Sequence, residues 1–135
     1  MILSDPVILQ PYEVYMYCVS TESPKEDKKC DRLFDSASEK LGIDSAFQED
    51  SERTYEAACC DGFKDGKHNI IIYIRNKKIN RTTLDHELIH ALNMVNYQYN
   101  VSCKPGHDES CAYFFEYMKN EFIQLLDKYQ IQIIQ

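Results

Sequence analysis

The chain has 135 residues, of which 44% are hydrophobic and 27% charged, and its formal net charge is −7. That length suffices for one hydrophobic core and is short for two, so we expect a single domain over residues 1–135. The acidic charge disfavours binding to nucleic acid, because phosphate contacts need clustered Lys or Arg side chains. No apolar run approaches membrane length, and residues 1–6 lack the features of a signal peptide. We therefore expect a cytoplasmic protein without nucleic-acid or membrane partners, and the oligomeric state stays open.

The first half of the chain predicts a strand, a helix and a loop. Residues 12–19 alternate in side-chain character, as a strand does. Apolar residues recur at helical spacing from Asp27 to Leu41, and Gly42 follows in the position of a C-cap glycine. Residues 43–54 are polar and predict a loop.

Two further strands are predicted next. Residues 55–60 form a short strand pattern, and Asp61-Gly62 with Asp65-Gly66 predict a turn after it. Residues 68–75 are a run of β-branched and aromatic side chains, which predicts a second strand.

The last part of the chain predicts two helices. Residues 83–97 have an apolar stripe, with Thr82 and Thr83 as candidate N-caps and Asp85 as the acidic residue of a capping box. The other helix begins near Glu109. Its apolar stripe consists of Cys111, Phe115, Met118, Phe122, Leu125, Leu126 and Tyr129. We expect an α+β fold in which a sheet of three strands, or slightly more, packs against these two helices.

The first of these helices contains His86-Glu87-Leu88-Ile89-His90, which has the spacing H-E-x-x-H. Residues four apart share one helical face, so both imidazoles can bind a single ion. Glu87 points about 100° away from His86, toward a water on that ion. The histidines lie opposite the apolar stripe, so we expect them to face a cleft or another element. The pattern predicts a Zn²⁺ site with Glu87 as the general base.

A catalytic zinc site takes three protein ligands and leaves one position open. Glu109 lies nineteen residues after His90, at the start of the last helix, and is the first candidate for the third ligand. Glu116, further along that helix, is interpreted as a carboxylate that is either solvated or in contact with a metal ligand instead of the metal. The competing donors near Glu109 are His107, Asp108, Cys103 and Cys111.

The pair formed by HELIH and the later segment E-S-C-A-Y resembles the gluzincin pattern, in which a glutamate ligand opens the next helix and a small residue follows three places later. Over residues 68–118 the chain is most similar to short single-domain gluzincins of bacteria and phages. The resemblance implies a small zincin-like domain, a minigluzincin, that hydrolyses peptide bonds. It assigns His86, His90 and Glu109 to the zinc and Glu87 to the catalytic base.

In zincins an edge strand close to the active-site helix pairs with the main chain of an extended peptide substrate. The resemblance assigns that role to residues 68–75. The alternative is that this strand is buried inside the sheet, because continuous apolar runs mark buried strands.

The chain departs from related patterns at three positions. The metzincin pattern requires Gly and His where this chain has Asn93 and Asn96, which excludes that class. Thermolysin-like enzymes have Asp four residues after the glutamate ligand, but Tyr113 occupies that position, so the partner of His86 is not assigned. Tyr113 shares the helix face of Glu109 and is our candidate for stabilising the oxyanion. The alternative donors are Tyr97, Tyr99 and His107.

Six cysteines are many for a chain of this size. No C-x-x-C pair or secretory context supports a disulfide framework, so we expect reduced thiols that pack as small hydrophobes.

Three functions remain open on the sequence alone. The first is a zinc metallopeptidase that acts on peptides or proteins. The second is a zinc-binding structural or regulatory interaction module without proteolytic activity. The third is a metal-free binding domain in which HELIH is accidental, so that Glu109 and both histidines would tolerate substitution together.

Overall fold

The computed structural model describes residues 1–44, 56–101, 103–106 and 108–135. Most of the predicted loop and the candidate ligand His107 lie outside these residues. The fold is α+β with a mixed sheet, as expected. None of the helices within the described residues is both long and apolar enough to cross a membrane.

Seven strands and four helices make up the described part of the chain. The strands are β1 (Ile2–Leu3), β2 (Val7–Leu9), β3 (Val14–Ser20), β4 (Ala57–Lys64), β5 (Lys67–Ile74), β6 (Lys78–Asn80) and β7 (Gln132–Ile134). The helices are α1 (Pro24–Asp27), α2 (Cys30–Lys40), α3 (Arg81–Tyr99) and α4 (Asp108–Lys128). The longer elements confirm the predicted strands and helices. The sequence missed β1, β2, β6, β7 and α1, because elements of two to four residues show too little periodicity.

The sheet has the strand order β1-β3-β5-β4, and β2 pairs with β3 as well. β5 runs parallel to β3 and antiparallel to β4, so it is a central strand. Its residues from His68 to Ile74 are all buried. The assignment of 68–75 as the edge strand is therefore wrong, and its continuous apolar run reflects burial on both faces. The edge strand is β4, which pairs with no other strand among the described residues.

Helices cover both faces of the sheet. On one face, Ile70 of β5 belongs to a cluster with Leu88 of α3 and Phe122 of α4, all with no exposed surface. On the other face, Ile71 packs in a cluster with Phe34 of α2. Each such fully buried side chain contributes about 1.5–3 kcal/mol of hydrophobic stabilisation. This burial presses α3 against the sheet and fixes which of its faces points outward.

Asp61-Gly62 does not form the predicted turn. β4 continues through these residues to Lys64, and the chain reverses at Asp65-Gly66. A Cβ on Gly62 would lie 2.3 Å from the carbonyl oxygen of Gly42. Glycine is therefore needed at position 62 for close packing of two backbone segments, which a reading of local turn signals cannot detect.

α3 begins two residues earlier than predicted, and its N-cap is Asn80. The Asn80 side chain accepts a hydrogen bond from the backbone N–H of Thr82 at 2.8 Å. The Glu56 carboxylate accepts from the backbone N–H of Asn80, also at 2.8 Å. Glu56, which is far away in the sequence, thus accepts the hydrogen bond that a residue of the first helical turn accepts in a capping box. Asp85, the expected local residue, instead forms a 2.8 Å ion pair with Lys119 of α4.

Cys103 and Cys111 form a disulfide between the α3–α4 loop and the first turn of α4. The expectation of reduced thiols is wrong for this pair, because the close approach of loop and helix is a tertiary feature. The free cysteines are Cys18, Cys30, Cys59 and Cys60.

Candidate functional site

The histidine pair of the H-E-x-x-H motif lies on the exposed side of α3. The Nε2 atoms of His86 and His90 are 3.0 Å apart, and both side chains are exposed. Two nitrogens bound tetrahedrally to one zinc at 2.0–2.1 Å would be about 3.3 Å apart. The two donor atoms therefore converge at nearly the separation that a shared zinc ion requires, and this half of the site fits the metal.

Glu87 lies on the side of α3 that faces β4. The residue is only 6% exposed, and burial raises the pKa of its carboxyl group, while His90 and His86 act in the opposite direction. Burial raises the pKa of the Cys59 thiol on β4, and the Glu87 carboxylate raises it further. A buried ionisable side chain beside two exposed imidazoles is typical of a functional site.

A cleft with a volume of about 460 Å³ opens between α3 and β4. His90 forms part of its wall, together with Asp61 and Phe63 of β4 and with Met94 and Tyr97 of α3. The sequence predicted that the histidines face a cleft or another element, and His90 does line this cleft, whereas His86 and Glu87 are not among its lining residues. Asp61 was missed because it was assigned to a turn, and no signal in the local sequence indicates otherwise.

The third ligand is not assembled. Among the described residues, no group of three or more His, Cys, Asp or Glu side chains is placed to hold a metal ion. Glu109 lies in the first turn of α4 and is exposed. The structure therefore brings His86, Glu87 and His90 together and leaves Glu109 as a prediction.

Contacts at both ends show that α3 and α4 run antiparallel. Near one end Asp85 pairs with Lys119, and near the other the Asn96 amide is 3.7 Å from the sulfur of Cys111. Between these contacts, His90 is level with about residue 115 of α4, since both helices rise about 1.5 Å per residue.

The same register separates the two candidate carboxylates. Glu116 lies between Cys111 and Lys119, the two residues of α4 that contact α3, whereas Glu109 precedes both of them. Both carboxylates are exposed. The register of the helices thus favours Glu116, and the motif favours Glu109.

The candidate oxyanion donors differ in their surroundings. Tyr113 is 65% exposed on α4, and Tyr97 is 90% exposed at the cleft. The hydroxyl of Tyr99 donates to the carbonyl of Tyr12 at 3.2 Å, and the two rings stack. Tyr99 therefore has a structural role, while Tyr113 and Tyr97 are the hydroxyls that a ligand could reach.

Comparison with known proteins finds no family model, no curated protein and no solved structure that matches this chain. The functional argument therefore depends on the residues around His86 and His90 themselves.

Proposed function

We propose that the protein is a gluzincin-type zinc metallopeptidase that hydrolyses peptide bonds in the cleft between α3 and β4. The observation that carries this proposal is the convergence of the His86 and His90 Nε2 atoms at 3.0 Å, beside the buried Glu87 carboxylate. A pair of histidines on an ordinary exposed helix face would not need a buried carboxylate next to it.

His86 and His90 would hold Zn²⁺ through Nε2, and a carboxylate of α4 would complete the site. The motif favours Glu109 for that position, and the register of the helices favours Glu116 as the competitor. When bound, zinc would polarise the substrate carbonyl and make a water molecule more acidic.

Glu87 acts as the general base and then as the general acid. It accepts a proton from the attacking water and delivers that proton to the leaving amine. A carboxyl group with a raised pKa suits both steps, because it holds the proton between them. Tyr113, with Tyr97 as the alternative, donates a hydrogen bond to the developing oxyanion.

The edge strand β4 binds the main chain of the peptide. Its outer backbone groups pair with no strand of the described residues, so an extended peptide can add to the sheet there. Since β4 also forms one wall of the cleft, a peptide bound in this way passes close to His90.

Zinc content by elemental analysis tests the metal site. Wild-type protein, purified and loaded with zinc, should hold about one zinc per chain, and His86→Ala and His90→Ala should each lose it. Asn120→Ala, at an exposed position of α4, is the matched control and should retain zinc. Wild-type protein that cannot be loaded would refute the proposal.

A direct comparison of Glu109→Gln and Glu116→Gln identifies the third ligand. Removing the true ligand should weaken zinc binding in a competitive chelator titration by tenfold or more, on the order of 1.4 kcal/mol. The other substitution should leave the affinity unchanged. If neither variant binds zinc more weakly, neither Glu109 nor Glu116 is the third ligand.

Cleavage of a mixed peptide library tests the chemistry. Glu87→Gln should retain zinc and lose activity by roughly 10²–10⁴-fold, because the base is gone while the ligands remain. Glu39→Gln, an exposed carboxylate on α2, is the control for the change in charge. Zinc binding without any cleavage by the wild type would instead indicate a structural or regulatory module.

A further inference from the structure

The cleft beside His90 has a mixed lining, most of which has no role in the proposed zinc chemistry. We call it the β4–α3 pocket, and its relevant walls are Asp61 and Phe63 of β4 and Met94 and Tyr97 of α3. Asp61 is its only acidic side chain, and no Lys or Arg occurs among the described residues that line it. The pocket thus combines one carboxylate with apolar and aromatic surface and with the neutral polar side chains of Asn93 and Gln98.

The Asp61 carboxylate is oriented by a buried histidine. His68 is 2% exposed, and its Nε2 lies 2.8 Å from Oδ2 of Asp61. The ring of Phe63 stacks on that of His68, with 4.6 Å between the centroids. This packing fixes the imidazole, and the hydrogen bond then fixes the side chain of Asp61 at the pocket wall.

The hydrogen-bond pattern also assigns the tautomer of His68. Its Nδ1 is buried and has no hydrogen-bond partner among the described residues. With a proton on Nδ1 the ring would bury an N–H donor without an acceptor, so the tautomer with its proton on Nε2 is favoured. In that tautomer Nε2–H donates its hydrogen bond to Oδ2 of Asp61.

We propose that the β4–α3 pocket binds a lysine or arginine side chain of the substrate, next to the bond that is cleaved. This proposal rests on the peptidase function proposed above and makes Asp61 a specificity-determining residue. The aliphatic stem would lie along Met94 and the ring of Phe63, and the charged end would reach Asp61.

Two further properties favour a cation. Tyr97 is 90% exposed and Phe63 is 48% exposed, so both rings can offer a face to a cationic group. The net charge of −7 attracts basic peptides to the protein before they enter the pocket. The same negative charge repels acidic peptides.

Matched peptides with one varied position test the proposal. Quenched-fluorescence substrates that differ only in carrying Lys, norleucine or Glu are compared at equal concentration with zinc-loaded protein. The wild type should cleave the Lys peptide about tenfold or more faster than the Glu peptide, and norleucine should be intermediate. Equal rates, or faster cleavage of the Glu peptide, would overturn the proposal.

Variants of Asp61 link this preference to the pocket. Asp61→Asn keeps an acceptor for His68 and removes the charge, so the ratio of Lys to Glu cleavage should fall to within about threefold of unity. Asp61→Lys should reverse the preference. Asp127→Asn, exposed on α4, should leave the ratio unchanged. If Asp61→Asn retains the wild-type melting temperature and the ratio is unchanged, a group other than Asp61 recognises the substrate side chain.

A failure of the proposed peptidase function can be distinguished from a failure of the proposal about the pocket. If the wild type cuts no peptide, the affinities of fluorescein-labelled Lys and Glu peptides for the same protein are measured by anisotropy. Tighter binding of the Lys peptide that is lost in Asp61→Asn would support the pocket without the chemistry. Equal affinities of the two peptides would overturn this inference as well.

Discussion

Glu87→Gln should stabilise the metal-free protein at neutral pH. The Glu87 carboxyl group is 6% exposed, and burial raises its pKa above the ordinary value of 4.5. A raised pKa means that the folded state disfavours the charged form, by about 1.4 kcal/mol for each pKa unit. His90 and His86 offset part of this effect, so we expect the gain from the neutral isostere to be that of an ordinary stabilising substitution, roughly 0.5–2 kcal/mol.

The sign of the pH dependence follows from the direction of the shift. Because the pKa of Glu87 is higher in the folded than in the unfolded state, the folded protein binds more protons in that window, and its stability falls as pH rises. Below pH 4.5 the side chain is protonated in both states and resembles Gln. The advantage of Glu87→Gln should therefore be small at pH 4, grow as pH rises, and level off above the folded-state pKa.

Urea denaturation of chelator-treated protein at pH 4 and pH 7.5 measures this difference. Glu39→Gln, an exposed carboxylate on α2, should change the free energy of unfolding by less than about 0.5 kcal/mol at either pH. The reasoning is refuted if Glu87→Gln gains no more at pH 7.5 than at pH 4. Such a result would mean that the buried carboxylate is compensated by interactions in the metal-free state.

Three further predictions concern the scaffold that positions the site. Denatured but unreduced protein should show four reactive thiols of the six cysteines, because Cys103 and Cys111 are paired; a thiol assay that counts six would contradict the disulfide. Gly62→Ala should destabilise the protein by roughly 1–3 kcal/mol in urea denaturation, because the added Cβ would clash with backbone atoms. Gly66→Asn should be nearly neutral, because the space around Gly66 is open and Asn tolerates its left-handed backbone. Equal losses in these two variants would argue against the steric reason. Asn80→Ala should lower stability by about 1 kcal/mol through the lost cap of α3, and a melting temperature equal to that of the wild type would exclude this role.

The long elements were predictable because their patterns are local. The helical spacing of apolar residues in α3 and α4 indicated both helices and the outward orientation of His86 and His90. The continuous apolar run of β5 indicated a strand in the same way. The four-residue spacing already placed the two imidazoles on one face, while the side-chain rotamers set the 3.0 Å between their Nε2 atoms.

Pairing across the sheet and between helices was not predictable from local patterns. In the sequence, β5 comes shortly before α3. Strand pairing nevertheless makes β5 a central strand and β4 the edge strand. The N-cap partner of α3, Glu56, is 24 residues away from Asn80, and no periodicity connects them. Likewise, the Cys103–Cys111 disulfide depends on how the loop returns to α4.

The sequence by itself determined the helix that carries HELIH and the face on which its ligand atoms lie, because helix geometry is set by neighbours three and four residues apart. Only the tertiary structure decided what surrounds that face. Burial of the sheet against α3 placed the β4–α3 pocket beside His90, and the antiparallel register of α3 and α4 placed Glu116 between the two contacts that join these helices. These placements depend on contacts between residues far apart in the chain, which a local pattern does not encode.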